Sequence, residues 1–174
     1  MSLTIRLARA EDYEDVARLQ RQVAQLHHDW RPDIYRPAQK YDQTRYEELL
    51  ANPDTPILVA EKGEKDMFCS DLERTQRSDG APPQVAGYVL LRVITPQNPV
   101  QVQRSFMHID DLCVDETCRR QGVGEALMCA VMELAREREL DAVELGVWEC
   151  NEAARAFYKQ LGFVVKTRSM EMKL

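Results

Sequence analysis

The sequence predicts a mixed α/β (α+β) domain with a partly antiparallel sheet. Apolar residues alternate with a period of two in some segments and recur at helical spacing in others, in the order β-α-α-β-β-β-α-β-α-β. The chain has 174 residues, 44% of them hydrophobic, which suits one sizeable core and would be cramped for two. No internal repeat and no domain-sized disordered segment interrupts it.

Residues 3 to 8 read as the opening strand. Glu11, Asp12, Glu14 and Asp15 then put negative charge where a helix N-terminus favours it, and Val16, Leu19, Val23 and Leu26 complete an amphipathic helix. Arg31-Pro32-Asp33-Ile34-Tyr35-Arg36-Pro37 must be extended or turned, because proline disfavours helix in the residue before it. A shorter helix runs from about Tyr41 to Ala51. Ile57 to Glu61 and Val85 to Thr95 read as strands. The polar stretch between them, with Ser78-Asp79-Gly80-Ala81-Pro82-Pro83, is too long for a hairpin loop and predicts an insertion over 64–83 with a short helix around Met67 to Arg74. Pro96-Gln97-Asn98-Pro99 turns the chain into a strand at about Arg104 to Val114. Val123, Ala126, Leu127, Ala130, Val131 and Leu134 mark the next helix, and Ala142 to Val147 the next strand. Asn151 caps a helix reaching about Leu161, and Gly162 sits where a C′ glycine belongs. Phe163-Val164-Val165 and the alternating tail through Met170 and Met172 predict one last strand.

A net charge of −6 and a pI near 5.2 argue against a nucleic-acid partner, which normally meets a basic surface. No apolar run approaches the roughly 20 residues that span a bilayer, so no membrane partner is expected. The N-terminus lacks a signal core, which makes a cytoplasmic location the expectation. Cys69, Cys113, Cys118, Cys129 and Cys150 are odd in number and scattered, as reduced packing thiols would be. With His27, His28 and His108 away from finger-like spacing, no metal site is expected.

The stretch from Val114 to Leu127 is the most informative. Ile109, Leu112 and Val114 lead into it as a strand, a helical stripe comes after it, and Arg119, Arg120, Gly122 and Gly124 lie between. Backbone amides at such a helix start can converge on an anion without Cβ atoms in the way. A P-loop would need Lys-Ser or Lys-Thr after its last glycine, where this chain has Glu125-Ala126. A dinucleotide fingerprint would need a third glycine where Leu127 stands.

Arg119-x-x-Gly122-x-Gly124 instead resembles the acetyl-coenzyme A signature of the GNAT N-acetyltransferase family. Asp110-Asp111-Leu112-Cys113-Val114 before it, and Asn151-Glu152-Ala153-Ala154-Arg155-Ala156-Phe157-Tyr158-Lys159-Gln160-Leu161-Gly162-Phe163 after it, resemble family segments in the same order. The resemblance covers about residues 104 to 165. It implies a mostly antiparallel central sheet flanked by helices, with a V-shaped splay between two central parallel strands. Acetyl-coenzyme A would enter that opening as the acetyl donor, its pantetheine paired with the backbone of Leu112, Cys113 and Val114 as an added strand. Arg119 and Arg120, with amides from Gln121, Gly122, Val123, Gly124 and Glu125, would hold the pyrophosphate. Asn151, Ala154 and Phe157 would lie against the cofactor.

By the same resemblance Tyr158 is the donor to the departing thiolate, and an acid on the 104–114 strand takes the proton of the attacking amine. Strand alternation puts Asp110 and His108 on one face and turns Asp111 away, so Asp110 is the first choice of base, with His108 and Glu149 as alternatives. Neither Cys113 nor Cys150 sits in a Cys-His-acid pattern, which favours direct attack in a ternary complex. The acceptor is expected near Trp30, Asp33, Tyr35 and His108. It is a primary amine, whether a small molecule such as a polyamine or antibiotic, or a protein N-terminus or lysine. A non-catalytic coenzyme A sensor is the alternative class, and the exposed edge of the final strand is compatible with a monomer or a homodimer.

Overall fold

The computed structural model describes residues 3–63, 85–100 and 102–173; the expected 64–83 insertion and its short helix, with Cys69, lie outside the described residues. The elements are β1 (Leu3–Leu7), α1 (Tyr13–Trp30), α2 (Gln43–Ala51), β2 (Ile57–Lys62), β3 (Val85–Ile94), β4 (Phe106–Val114), α3 (Val123–Glu137), β5 (Ala142–Leu145) and α4 (Glu152–Gln160). Local chemistry sets several of their ends. The Asp42 carboxylate accepts from the Arg45 amide at 2.8 Å and starts α2. Asn151 does the same for α4 through the Ala154 amide at 3.1 Å.

The five strands lie in the order β1-β2-β3-β4-β5, with antiparallel pairs up to β4 and a parallel β4–β5 pair crossed over by α3. Each face of the sheet buries its own core. On one face Val89, Leu91, Met107 and Ile109 pack with Val123, Leu127, Met128 and Val131 of α3. On the other, Val59, Tyr88, Leu90 and Cys113 pack with Val16 and Leu19 of α1 and Tyr46 and Leu49 of α2. Full burial of a side chain such as Leu127 contributes about 1.5–3 kcal/mol, so these layers fix the strands that carry the site.

Two irregularities in β4 shape the surface beside it. β4 pairs with β5 only from Phe106↔Ala142 to Ile109↔Leu145, so the sheet opens beyond Ile109. On its other side β4 carries a bulge. Leu90 pairs with Asp111 and Leu91 with Ile109, which leaves Asp110 as the extra residue. The bulge resets the alternation. Asp111 does not point away from His108 and Asp110 as simple strand alternation predicts; it joins their face, where the Tyr88 hydroxyl donates to its carboxylate at 2.8 Å.

The expected last strand is absent. Residues 163–173 form no ladder, and Val164, Val165, Met170 and Met172 are 75–94% exposed. With no apolar face to bury, nothing sets a register for this segment. Side chains hold it instead. Lys166 reaches both Glu144 carboxylate oxygens at 2.8 and 2.9 Å, Glu171 accepts from Arg31 at 2.7 Å, and Lys173 donates to Asp33 at 2.9 Å.

Just beyond β4, Asp115 is almost fully buried and accepts from the Thr117 amide at 2.9 Å and its hydroxyl at 2.5 Å. It also forms an ion pair with Arg18 of α1, whose guanidinium donates to the Val85 carbonyl at 3.1 Å. Burial opposes ionisation, but Thr117 and Arg18 together hold the Asp115 carboxyl below its ordinary range. Asp115→Ala is expected to cost about 1–3 kcal/mol in urea unfolding at pH 7, because it leaves the Thr117 amide without its acceptor and leaves Arg18 with only the longer Asp15 pair at 3.7 Å. A depressed carboxyl stabilises above its unfolded pKa, so the gap between parent and variant should close as pH falls below about 3.9.

Candidate functional site

The opening between β4 and β5 is the centre of the site. The Asp115 amide donates to the Ala86 carbonyl at 2.8 Å, and with the register of β3 and β4 this turns the ladder groups of Cys113 toward β3. Those of Leu112 and Val114 alternate to the open side. The three-residue edge expected from sequence therefore narrows to two residues with outward groups. Cys113 contributes its side chain to the core below, where burial pushes the thiol up to about 12.

The turn after β4 begins with a short 3₁₀ segment, Glu116–Cys118, and ends at α3. Gly122 is the N-cap of α3 at φ 81°, a backbone region that glycine occupies at little cost. The Ala126 amide is the first to bond back, to the Gly122 carbonyl, so the amides of Val123, Gly124 and Glu125 have no helical acceptor. Gly124 serves a different need. A Cβ there would stand 3.3 Å from Phe157 Cζ, so its absence lets α4 close against the start of α3. Arg119 folds back to donate to the Val114 carbonyl at 3.3 Å, and Gln121 donates to the Thr117 carbonyl at 2.9 Å. Arg120 is exposed, at φ 63°.

α4 carries Tyr158, which packs beside the α3-side core. Its ring lies 5.3 Å from that of Phe157 and 5.6 Å from that of Phe163, and its hydroxyl has no hydrogen-bond partner among the described residues. Burial, and next the charge of Asp111, push this phenol up to about 12. Asn151 uses its side-chain oxygen on the Ala154 amide, and both residues stay partly buried at the start of α4.

The acids of β4 divide sharply. Asp110 is taken up by Arg92 at 2.5 Å, with His108 Nε2 at 3.8 Å. Asp111 has the Tyr88 hydroxyl and no ion pair among the described residues. Burial raises its carboxyl above the ordinary range, against the pull of Lys40 and the Tyr88 hydrogen bond. Its charge is felt at His27, Lys40 and Tyr158. Burial lowers His27 and His108 below the usual imidazole range, which keeps both neutral at pH 7. Glu149 is exposed and paired with Arg155 at 3.0 Å.

Trp30 and Tyr35 join His27 in a ring cluster, with centroids 5.8 Å and 5.0 Å from the imidazole. Tyr35 meets Trp148, just past β5, edge-on at 5.7 Å. Arg31 lies over the Trp148 ring at 5.6 Å and grips Asp33 with two hydrogen bonds of 2.8 and 2.9 Å. Asp33 thus has Arg31 and Lys173 as partners. Sequence reasoning missed three residues of this site. Asp111 was hidden by the bulge, while Trp148 reaches His27 only through the Tyr35 ring of the loop after α1. An adjacent acid pair on an otherwise apolar strand was the one available signal.

A profile of the acetyltransferase (GNAT) family matches residues 23–163. The crystal structure of a mutant BH1408 protein from Bacillus halodurans is 32% identical, covers 98% of this chain and 99% of its own, and superposes with a TM-score of 0.81. An uncharacterised N-acetyltransferase of Lactobacillus delbrueckii subsp. lactis is 34% identical over 79 residues, 45% of this chain and 45% of that protein. Glucosamine 6-phosphate N-acetyltransferase of Trypanosoma brucei brucei is 34% identical over 71 residues, 41% of this chain and 46% of that protein. The matched stretch spans less than half of either of these two relatives. With a family profile over most of its length and a full-length structural relative, the chain belongs to the GNAT acetyltransferase family.

Proposed function

We propose that the chain is an N-acetyltransferase that passes the acetyl group of acetyl-coenzyme A to a primary amine by direct attack in a ternary complex. The observation that carries this reading is an open β4 edge followed one turn later by a glycine-bordered helix start. Leu112 and Val114 offer outward backbone groups to the amides of a pantetheine chain. The free amides from Val123 to Glu125, with Arg120 beside them, suit a pyrophosphate, and a Cβ at Gly122 would meet nothing within 4 Å, so the turn is open there. When bound, acetyl-coenzyme A supplies an activated thioester, with a carbonyl carbon open to attack and a thiolate able to leave.

Asp111 takes the proton of the incoming ammonium. A carboxyl raised by burial is a stronger base than an ordinary one, and Asp111, unlike Asp110, is held by no guanidinium among the described residues. Asp110 then serves to brace the bulge through Arg92. As the amine nitrogen bonds to the carbonyl carbon, sheds its second proton to solvent and the C–S bond breaks, Tyr158 would donate a hydrogen bond to the leaving sulfur, which regains a proton from solvent. A phenol near 12 stays protonated, but its full transfer to a thiolate of pKa about 8.5 is uphill by roughly three units. Tyr158 therefore stabilises the leaving group mainly by hydrogen bonding. The unionised Cys113 thiol supports a mechanism without a covalent acetyl-cysteine.

Tyr158→Phe should lower kcat about a hundredfold while the KM for acetyl-coenzyme A stays within about twofold; an unchanged kcat removes the residue from the chemistry. Asp111→Asn should lower kcat/KM and abolish the acid limb of the pH–rate profile. That limb, in the parent protein, should lie above the ordinary carboxylate range. The same substitution should raise the melting temperature at pH 7. A raised carboxyl penalises folding once it ionises, so the gain should vanish below about pH 4, where Asp111 is protonated in both states. A surviving acid limb would return the role to Asp110 or His108.

A further inference from the structure

The acceptor side of the opening carries information about the shape and charge of the amine. Four large rings, His27, Trp30, Tyr35 and Trp148, form a continuous cluster that belongs to neither face of the buried core. All four are only partly buried. They come from the end of α1, the loop after it and the segment that follows β5, past the point where the β4–β5 pairing ends. Asp111 pairs with Leu90 on the sheet face that packs against α1, the helix that carries His27 and Trp30, and its charge is felt at His27.

Charge is the second observation. A polycationic acceptor needs several carboxylates with charge to spare. Here Asp110 is matched by Arg92, and Asp33 by Arg31 and Lys173. Asp111 has no ion pair among the described residues, and the Lys40 ammonium, which sits over the Tyr41 ring at 5.1 Å, already lies in its field. One acid with no ion pair among the described residues, beside a cluster of rings, complements a single ammonium on an apolar, flat body. Such a body can stack on ring faces, an interaction beyond simple burial.

Resting on the acetyl-transfer reading, we infer that the acceptor is a primary monoamine carrying an aromatic or flat apolar group, seated on Trp148 and Tyr35 with its nitrogen toward Asp111. Arg31 is a positioning residue for this seat. Its guanidinium lies over the Trp148 ring at 5.6 Å while its hydrogen bonds reach Asp33 and Glu171, which orients the indole for the acceptor.

The test uses the full chain, saturating acetyl-coenzyme A and thiol release. Phenethylamine, tryptamine, propylamine, spermidine, an aminoglycoside and a short peptide with a free N-terminus form the panel. The expected result is a kcat/KM for phenethylamine or tryptamine at least about tenfold above that for every other member. Trp148→Ala should collapse the phenethylamine-to-propylamine ratio by about tenfold, and Trp148→Phe, which keeps a ring, should preserve most of it; a thermal melt checks that each variant is folded. Turnover led by spermidine, the aminoglycoside or the peptide overturns this choice of acceptor and leaves acetyl transfer standing. A ratio unmoved by Trp148→Ala in a folded variant overturns the seat. No release with any amine overturns the acetyl-transfer reading, and this inference with it.

Discussion

Everything in the site depends on the β4–β5 pair ending at Ile109 and Leu145. Four paired residues are enough to anchor β5 to the sheet, since Val143 and Leu145 also pack toward the α3 core. Beyond that point the strands part, and the polar groups of Leu112 and Val114 face a gap where further pairs would otherwise stand. An unpaired edge inside a sheet is costly if it stays dry and unpartnered, so such an opening calls for a ligand that brings its own amides. α4 closes the far side by resting Phe157 on Gly124, which is why the second glycine and the splay belong to one arrangement.

α1 connects the two ends of this opening. Arg18 ties it to Asp115 beneath the start of the turn, and nine residues later, about 13 Å along the helix, His27 and Trp30 enter the ring cluster. The turn and the ring cluster thus share one rigid element. The tail adds a looser restraint through Glu171 and Lys173. Its ion pairs are exposed, and pairs of that kind hold a segment with little energy.

Local signals were strong where the physics is local. The helical stripe after Gly124, the cap at Asn151 and the glycine turn all emerge where sequence places them, because spacing, capping and positive φ are properties of a few adjacent residues. The bulge at Asp110 is different. Whether two residues of β4 oppose one of β3 depends on the partner strand, so alternation alone turned Asp111 to the wrong face. The ring cluster was half legible for a similar reason: Trp30 and Tyr35 lie close in sequence, whereas Trp148 reaches them only after the sheet is assembled. The tail failed as a strand because alternation in Met170 and Met172 has meaning only against a surface that buries one side.

Arg120 carries a consequence for anyone redesigning this chain. It holds a left-handed backbone at φ 63°, where a side chain costs roughly 1–2 kcal/mol relative to glycine. An optimiser that scores folding alone would convert it to match Gly122 and report a gain. The same exchange would erase the exposed guanidinium at the mouth of the helix start, trading a charge the fold does not need for relief of strain in a turn that would also loosen.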